Sequence, residues 1–291
     1  MSHVKGGLVI LKEMVNSLPP SEKKIAAYIL NNPEESILLT ALMLGEKSHT
    51  SSAAVIRLCK SLGFNGFQEL KIRVAGDLQA GSVKGYRDIE QNEDFKDIID
   101  KMTSNTIQTL KETVDIMSEE NLKKAVTALS KAKSIVFIGF GASFIAAKDA
   151  EQKFIRINKN AQSFSDVHMA ATAIANKGPE DVVVGISFSG STKEVGKLLD
   201  LAQQKSSTTI SITKYGNSLV SKFSDIILHT SAAKEATFRS GATSSRIAQL
   251  HLIDILLMCL ASEDYEETIQ HLDETREAVS FLREDDSKEK K

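Results

Sequence analysis

The sequence predicts an α/β chain in two parts: an all-helical N-terminal domain, then a parallel-sheet α/β sandwich. Three observations point there. The chain has 291 residues, and at about 100–200 residues per domain that length suggests two domains. Its first 80 residues carry apolar positions at helical spacing between turn residues. From Ser134 onward, short β-rich runs alternate with helical stretches, the pattern of a parallel sheet covered by helices. Hydrophobic residues make up 42% and charged residues 25%, an ordinary globular balance.

Each element has its own signal. The opening MSHVKGGLVILKEM holds an apolar run of four that stops at Lys12 and Glu13, which argues against a signal peptide. Ser21, followed by Glu22, Lys23 and Lys24, starts a helix with Ile25, Ala26, Ile29 and Leu30 as its stripe. Asn31-Asn32-Pro33 ends it. Thr40 can cap a second helix over Leu42 to Lys47. Ser51 or Ser52 can cap a third, with Val55, Leu58, Cys59 and Leu62 inward, and Gly63 stops it. Gly66-Phe67 leads into a fourth helix through about Leu78.

The polar stretch AGSVKGYRDIEQNED, residues 80–94, reads as a linker, and residues 95–131 as helical. Five strand–helix repeats follow: SIVFIGF and a helix to Ile157; AQSFS and a helix to Ala175; DVVVGISFS and Thr192–Gln204; TTISIT and a short helix; DIILHT and a long helix from about Ser245. The expected domains are therefore 1–79, a linker at 80–94, then 95–282 with its leading helices. REDDSKEKK, residues 283–291, reads as a disordered tail.

Several classes drop out. The longest apolar run near the C-terminus, Ile255 to Ala261, has seven residues, against about 20 for a membrane span. Cys59 and Cys259 lie 200 positions apart inside helical patterns and read as small buried hydrophobes, not a disulfide or metal pair. The six histidines show no metal spacing. No metal, no cofactor and a reducing, cytoplasmic location are expected.

Net charge is −2 overall. Residues 1–80 hold nine Lys/Arg and seven Asp/Glu, and Lys47 to Arg73 hold five basic residues and one acidic, Glu69. That basic island coincides with two short helices joined by a brief turn, which is helix-turn-helix geometry. The third helix turns Ser52, Ala53, Ile56, Arg57, Lys60 and Ser61 outward. Its small N-terminal residues permit close approach to DNA, and Arg57 and Lys60 can reach bases or phosphates. Lys47, Lys71 and Arg73 can add phosphate contacts. The same pattern also fits a helical interaction domain with a solvated basic face. Phe64 and Phe67 read as core.

The segment VVVGISFSGSTKEVGKLL ends a buried strand at Ile186 and starts a helix at about Thr192. Ser187, Ser189, Ser191 and Thr192 surround Gly190 at that helix start, where free backbone N–H groups and the helix dipole favour an anion. A P-loop does not fit, because Gly190 to Gly196 encloses five residues and Leu198 replaces Ser/Thr. A nucleophile elbow does not fit, because Ser189 stands where the second glycine belongs. In Gly139-Phe-Gly141-Ala-Ser143-Phe144, Phe144 takes the place of the third dinucleotide-binding glycine. A hydroxyl-rich nest without lysine suits one phosphate monoester; the alternative is an ordinary serine-rich turn. If the first and third strands are neighbours, the Ser143 turn lies beside the Ser187–Thr192 loop and the two form one pocket.

Taken in order, LPPSEKKIAAYILNNPEE and AAVIRLCKSLGFNGFQELK, then GFGAS, SFSGST and SSRIAQLHLIDIL, resemble the RpiR-type bacterial transcriptional regulators. These join a helix-turn-helix domain to a SIS (sugar isomerase) domain. The resemblance covers nearly the whole chain and comes closest to the MurR-like regulators of amino-sugar use. It implies a recognition helix over Ser51 to Lys60 and a sugar-phosphate site lined by Ser143, Ser187, Ser189 and Thr192. It further implies a homodimer or homotetramer on palindromic operator DNA, bound at the nucleoid. The implied effector is a sugar phosphate such as N-acetylmuramic acid 6-phosphate or N-acetylglucosamine 6-phosphate. Against the family pattern, Gly45 replaces an alanine, Thr50 a valine and Ala54 a threonine. Thr50 is expected to weaken the core between the two helices, and Ala54 to remove a DNA-contacting hydroxyl.

The expected function is a regulator of sugar or amino-sugar catabolism genes controlled by a phosphosugar, not an enzyme. The ligand residues are Gly141, Ser143, Ser187, Ser189, Gly190, Ser191, Thr192 and Glu235. The DNA residues are Lys47, Ser51, Ser52, Ala53, Arg57, Lys60, Lys71 and Arg73. The alternative is an aldose–ketose isomerase with a helical assembly domain. That reaction needs a positioned base, for which Glu235, His168 and His251 are the candidates; His251 reads rather as a core or interface residue. The helix 95–117 and the helix from Ser245 are the expected dimer contacts.

Overall fold

The structure is a computed structural model and describes residues 5–79, 90–231 and 243–284. Residues 80–89 of the expected linker 80–94, Glu235 and the last seven residues lie outside the described residues. Two compact units emerge. One takes the chain up to Met117 with Lys214–Asn217 and His229–Ala248; the other takes Ser118–Thr213, Ser218–Leu228 and Gln249 onward.

The first unit contains α1 (Gly7–Met14), α2 (Pro20–Asn31), α3 (Pro33–Ser36), α4 (Ala41–Lys47), α5 (Ser52–Ser61), α6 (Phe67–Gln79) and α7 (Phe95–Ile116). The apolar run after Gly7 is the first core helix, with Val9, Ile10 and Leu11 buried. No neighbouring residue caps it. Instead the N–H groups of Gly6 and Leu8 donate to the two carboxylate oxygens of Asp77, both at 2.7 Å. α2 starts one residue earlier than Ser21, at Pro20, where a fixed φ and a missing N–H suit the first turn.

Thr40 caps α4 by accepting from Met43 N at 3.2 Å, and Ser51 caps α5 by accepting from Ala54 N at 3.2 Å. Between them α4 and α5 approach closely. A Cβ on Gly45 would sit 2.8 Å from the Ser51 carbonyl carbon, so alanine there would force the helices apart. Thr50 takes part in the turn between them. Its N–H donates to Gly45 O at 2.7 Å, and its hydroxyl lies 3.0 Å from Ser48 Oγ. After α5, Phe64 N bonds Cys59 O at 2.8 Å and Gly63 N bonds Lys60 O at 3.0 Å, the paired closure of a Schellman stop. Ile25, Ile29, Leu44, Val55, Leu58, Cys59, Leu62 and Leu70 fill the shared core. Each large side chain contributes about 1.5–3 kcal/mol. Phe64 joins that core and Phe67 packs against it.

The second unit opens with α8 (Glu119–Lys131), capped by Ser118, so the helical stretch expected over 95–131 is two helices broken at Met117 and Ser118. The alternating strands and helices are β1 (Ser134–Gly139), α9 (Ala142–Arg156), β2 (Ala161–Phe164), α10 (Val167–Ala175), β3 (Asp181–Ile186), α11 (Lys193–Gln204), β4 (Thr208–Lys214) and β5 (Ile226–Thr230). The short helix expected after β4 is a single 3-10 turn, Ser221–Phe223. α12 (Ser244–Glu263) and α13 (Tyr265–Glu284) close the chain, so the expected tail is helical through Glu284.

The sheet order is β2-β1-β3-β4-β5, and the β2–β1, β1–β3 and β3–β4 pairs are parallel. Val136, Ile138 and Val183 pack with α10 and α11 side chains on one face. Strand alternation sends Phe137 to the other face, edge-on to Phe154 of α9 with ring centroids 5.2 Å apart. At the β2 edge, the Glu151 carboxylate accepts from Ser163 N–H at 3.2 Å and from its hydroxyl at 2.9 Å. α12 has a mean hydropathy of 1.3 over an 18-residue window, long and apolar enough to cross a membrane by length and composition alone. In the fold Ala248, Leu252, Ile253, Leu256 and Leu260 are buried core residues.

Candidate functional site

The helix-turn-helix presents α5 as expected. Val55, Leu58 and Cys59 are buried, while Ser51, Ala53, Ile56, Arg57 and Lys60 face outward and Ser52 is half-buried. Arg57 and Lys60 make no hydrogen bond or ion pair among the described residues. Two cations are thus uncommitted on the exposed side of a rigid helix. Ala54 is a core residue, 1% exposed, so position 54 presents nothing to DNA and its lack of a hydroxyl removes no contact.

The other basic residues of the island are engaged within the fold. Lys47 pairs with Glu35, which also accepts the Tyr28 hydroxyl at 2.6 Å. Lys47 and Tyr28 as donors hold the Glu35 carboxyl below its ordinary range. Lys71 donates to Leu39 O at 3.1 Å. Arg73 donates to Glu69 and to Lys5 O, both at 3.1 Å, and lies over the Phe64 ring at 5.1 Å. Burial pushes the Cys59 thiol up to about 11, so it stays a protonated core hydrophobe.

The second cluster stands at the carboxyl ends of β1 and β3. These strands are neighbours, with Gly139 in register with Ile186, and the chain order reverses between them. In open α/β sheets that switch point is where ligands bind. After β3, Ser187 is 3% exposed and its hydroxyl lies 2.9 Å from Thr192 Oγ1. Ser189 Oγ lies 2.8 Å from Ser191 Oγ and accepts from Ser191 N at 3.2 Å. Gly190 bends the loop at φ +67°, and a Cβ there would sit 2.4 Å from Ser218 Cβ. α11 then starts from Thr192 with no side-chain cap, which leaves its first N–H groups for an outside acceptor.

The neighbouring turn repeats the arrangement. Gly141 precedes α9 at φ 58° and ψ −128°, and α9 also lacks a side-chain cap. Ser143 Oγ accepts from Gln249 Nε2 at 3.2 Å. Gln249 is 1% exposed on α12 and was not among the expected ligand residues; its signal was only its place in SSRIAQLHLIDIL. Thr213 and Ser218, which a Cβ on Gly190 would meet, carried no local signal.

Among the candidate bases, His168 is exposed on α10. His251 stands two residues after Gln249, about 200° around the helix, and lines a groove with Leu122, Val126 and Met258 instead. No group of three or more metal-ligating residues occurs among the described residues.

Comparison with known proteins agrees with both halves. Residues 5–81 match the helix-turn-helix domain of the rpiR family, and residues 128–259 match the SIS domain. The chain is 48% identical to YbbH, an uncharacterized HTH-type transcriptional regulator of Bacillus subtilis (strain 168), over 96% of this chain and 98% of that one. A second uncharacterized HTH-type regulator, from Caldanaerobacter subterraneus, is 41% identical over 94% and 97% of the two chains. Among solved structures, the Vibrio vulnificus NanR protein complexed with ManNAc-6P superposes with a TM-score of 0.60 at 29% identity, over 95% of this chain and 99% of that one. With both halves matched and full-length relatives on either side, the chain belongs to the rpiR family of helix-turn-helix transcriptional regulators.

Proposed function

We propose that the chain regulates sugar or amino-sugar catabolism genes under control of a sugar phosphate bound in its SIS domain. One observation carries this reading: two helix starts without side-chain caps, ringed by Ser143, Ser187, Ser189, Ser191 and Thr192, at adjacent parallel strands. We read it as an anion site with hydroxyls on two sides, suited to one phosphate monoester. The likeness to a NanR protein solved with ManNAc-6P supports a phosphorylated amino sugar; N-acetylmuramic acid 6-phosphate and N-acetylglucosamine 6-phosphate are the further candidates. The functional division is 1–79 for DNA and 95–282 for the effector.

On DNA, Ser51, Ser52 and Ala53 approach the groove while Arg57 and Lys60 supply the contacts. Lys47, Lys71 and Arg73, each held by a partner in the fold, add phosphate contacts. The operator is a palindrome with half-sites about 34–36 Å apart. Exposed Met258 on α12 and exposed Phe95, Ile99 and Ile107 on α7 support assembly as a homodimer or homotetramer. The chain acts in the cytoplasm, at the nucleoid when DNA-bound, and turns over no sugar.

The test is fluorescence anisotropy on DNA from upstream of its own gene, at fixed salt, with and without a panel of amino-sugar phosphates. Arg57→Ala is expected to weaken operator binding by about 1–3 kcal/mol with sugar binding intact. Ser189→Ala is expected to abolish the sugar response with DNA binding intact. Unchanged operator affinity removes Arg57 from the interface. An unchanged response in Ser189→Ala overturns the phosphate nest. Isomerised product in the incubated sugar samples would favour the isomerase reading.

A further inference from the structure

Helix α5 buries its large apolar residues with one exception. Val55, Leu58 and Cys59 are 0% exposed and belong to the core of the first unit. Ile56 is 41% exposed and stands on the opposite side. At about 100° per residue, Ala53, Ile56, Arg57 and Lys60 fall within about 100° of arc, and all of them are exposed. Ala53 and Lys60 are the helical neighbours of Ile56 at i−3 and i+4, and Arg57 has the same two neighbours. An aliphatic side chain is therefore set into a cationic face.

The surroundings of Ile56 say what approaches it. Arg57 and Lys60 make no hydrogen bond or ion pair among the described residues. The first turn of α5 holds no acidic residue, and small side chains, Ser51, Ser52 and Ala53, stand at its start. Such a face is complementary to a polyanion whose groove admits a helix. An aliphatic side chain can bond neither a phosphate nor the donors and acceptors of the base edges. The methyl group displayed in the major groove is the 5-methyl of thymine. Isoleucine is branched at Cβ and stiff at χ1, so it loses little rotamer freedom on meeting that methyl.

We propose that Ile56 is a specificity-determining residue of the recognition helix, reading a thymine 5-methyl group in each operator half-site. Arg57 and Lys60 favour guanine edges and phosphates, and Ile56 adds the preference for thymine that they cannot supply. This rests on the DNA-binding reading above.

The experiment uses the full-length protein. Selection from randomised duplexes defines the preferred half-site. Each thymine in it is then replaced in turn by deoxyuridine, which lacks only the 5-methyl, and affinities are read by fluorescence anisotropy at fixed salt. The wild type is expected to bind about fourfold more weakly at one or more of these positions, the loss of one buried methyl. Ile56→Ala is expected to bind the thymine and deoxyuridine duplexes equally there, and Ile56→Val to keep the discrimination. Arg57→Ala is expected to weaken both duplexes alike and keep their ratio. Because the readout is a ratio on one protein sample, a variant that folds only in part still gives it. A half-site without thymine, wild-type indifference to the methyl, or discrimination retained in Ile56→Ala each overturns the proposal. A wild type that prefers no sequence over random DNA overturns the reading beneath it instead, and the selection step distinguishes the two failures.

Discussion

Gly190 concentrates the demands that the serine loop makes on a single residue. It combines a φ of +67° with a space that a Cβ would enter at 2.4 Å. Gly190→Ala is expected to cost about 1–3 kcal/mol from backbone strain alone, read as a lowered thermal midpoint, and to lose effector binding with it. At this scale the sequence was informative where chemistry is local. The hydroxyls around Gly190 and the outward Arg57 and Lys60 were legible because helix period and loop composition place them. Asp77 and Gln249 were not, because each acts on residues between 69 and 106 positions away in the chain. The cations of the island depend on tertiary partners in the same way. Their count is readable, but whether a cation is free depends on Glu35, Glu69 and two carbonyls supplied by other elements.

Among the elements, α5 is the one most fully specified by its own sequence. It has a serine cap, a four-residue inner stripe and a glycine stop, and all three form as the spacing predicts. Ser51→Ala removes the acceptor for Ala54 N and is expected to cost about 1 kcal/mol. Thermal denaturation gives that number, and operator affinity should fall with it because the capped end is the one offered to the groove. α1 is the opposite case. Its eight residues carry no local cap, and its N-terminus depends on a carboxylate in α6. The strands were legible as apolar runs, and their adjacency followed only from the sheet order. That order puts the two glycine turns at the ends of adjacent strands.

For the whole molecule, compactness divides the chain by contacts that cross sequence. Helical periodicity grouped α7 with the sheet domain, yet α7 clusters with the N-terminal helices. Its end also sets a pH dependence. Burial raises the Asp115 carboxyl above its ordinary 3.8, with Asp77 and Glu112 adding repulsion. Burial likewise raises Asp77. A raised carboxyl opposes folding when charged; the cost is full above its folded value and disappears as pH falls toward 3.8. Asp115 also lies at a helix C-terminus, where negative charge is unfavourable by about 0.3–1 kcal/mol. Asp115→Asn is therefore expected to raise the thermal midpoint at pH 7, with the gap to wild type closing toward pH 4. Equal midpoints at pH 7 would refute the strain at Asp115. In the opposite sense, hydrogen bonds from Lys47 and Tyr28 lower Glu35, and those from Asn65 and Arg73 lower Glu69. Their stabilisation is present above 4.5 and is lost as pH falls through their folded values.

The sheet order has a consequence at its rim. Its edge strands are β2 and β5, four and five residues long, against six or seven for the inner strands. An exposed strand edge is a template for a foreign strand and so for aggregation. Here the template is brief on both sides, and at β2 the Glu151 carboxylate already occupies the Ser163 N–H that an incoming strand would need. The strand edge is thereby shielded when the protein is concentrated, by a side chain that belongs to α9.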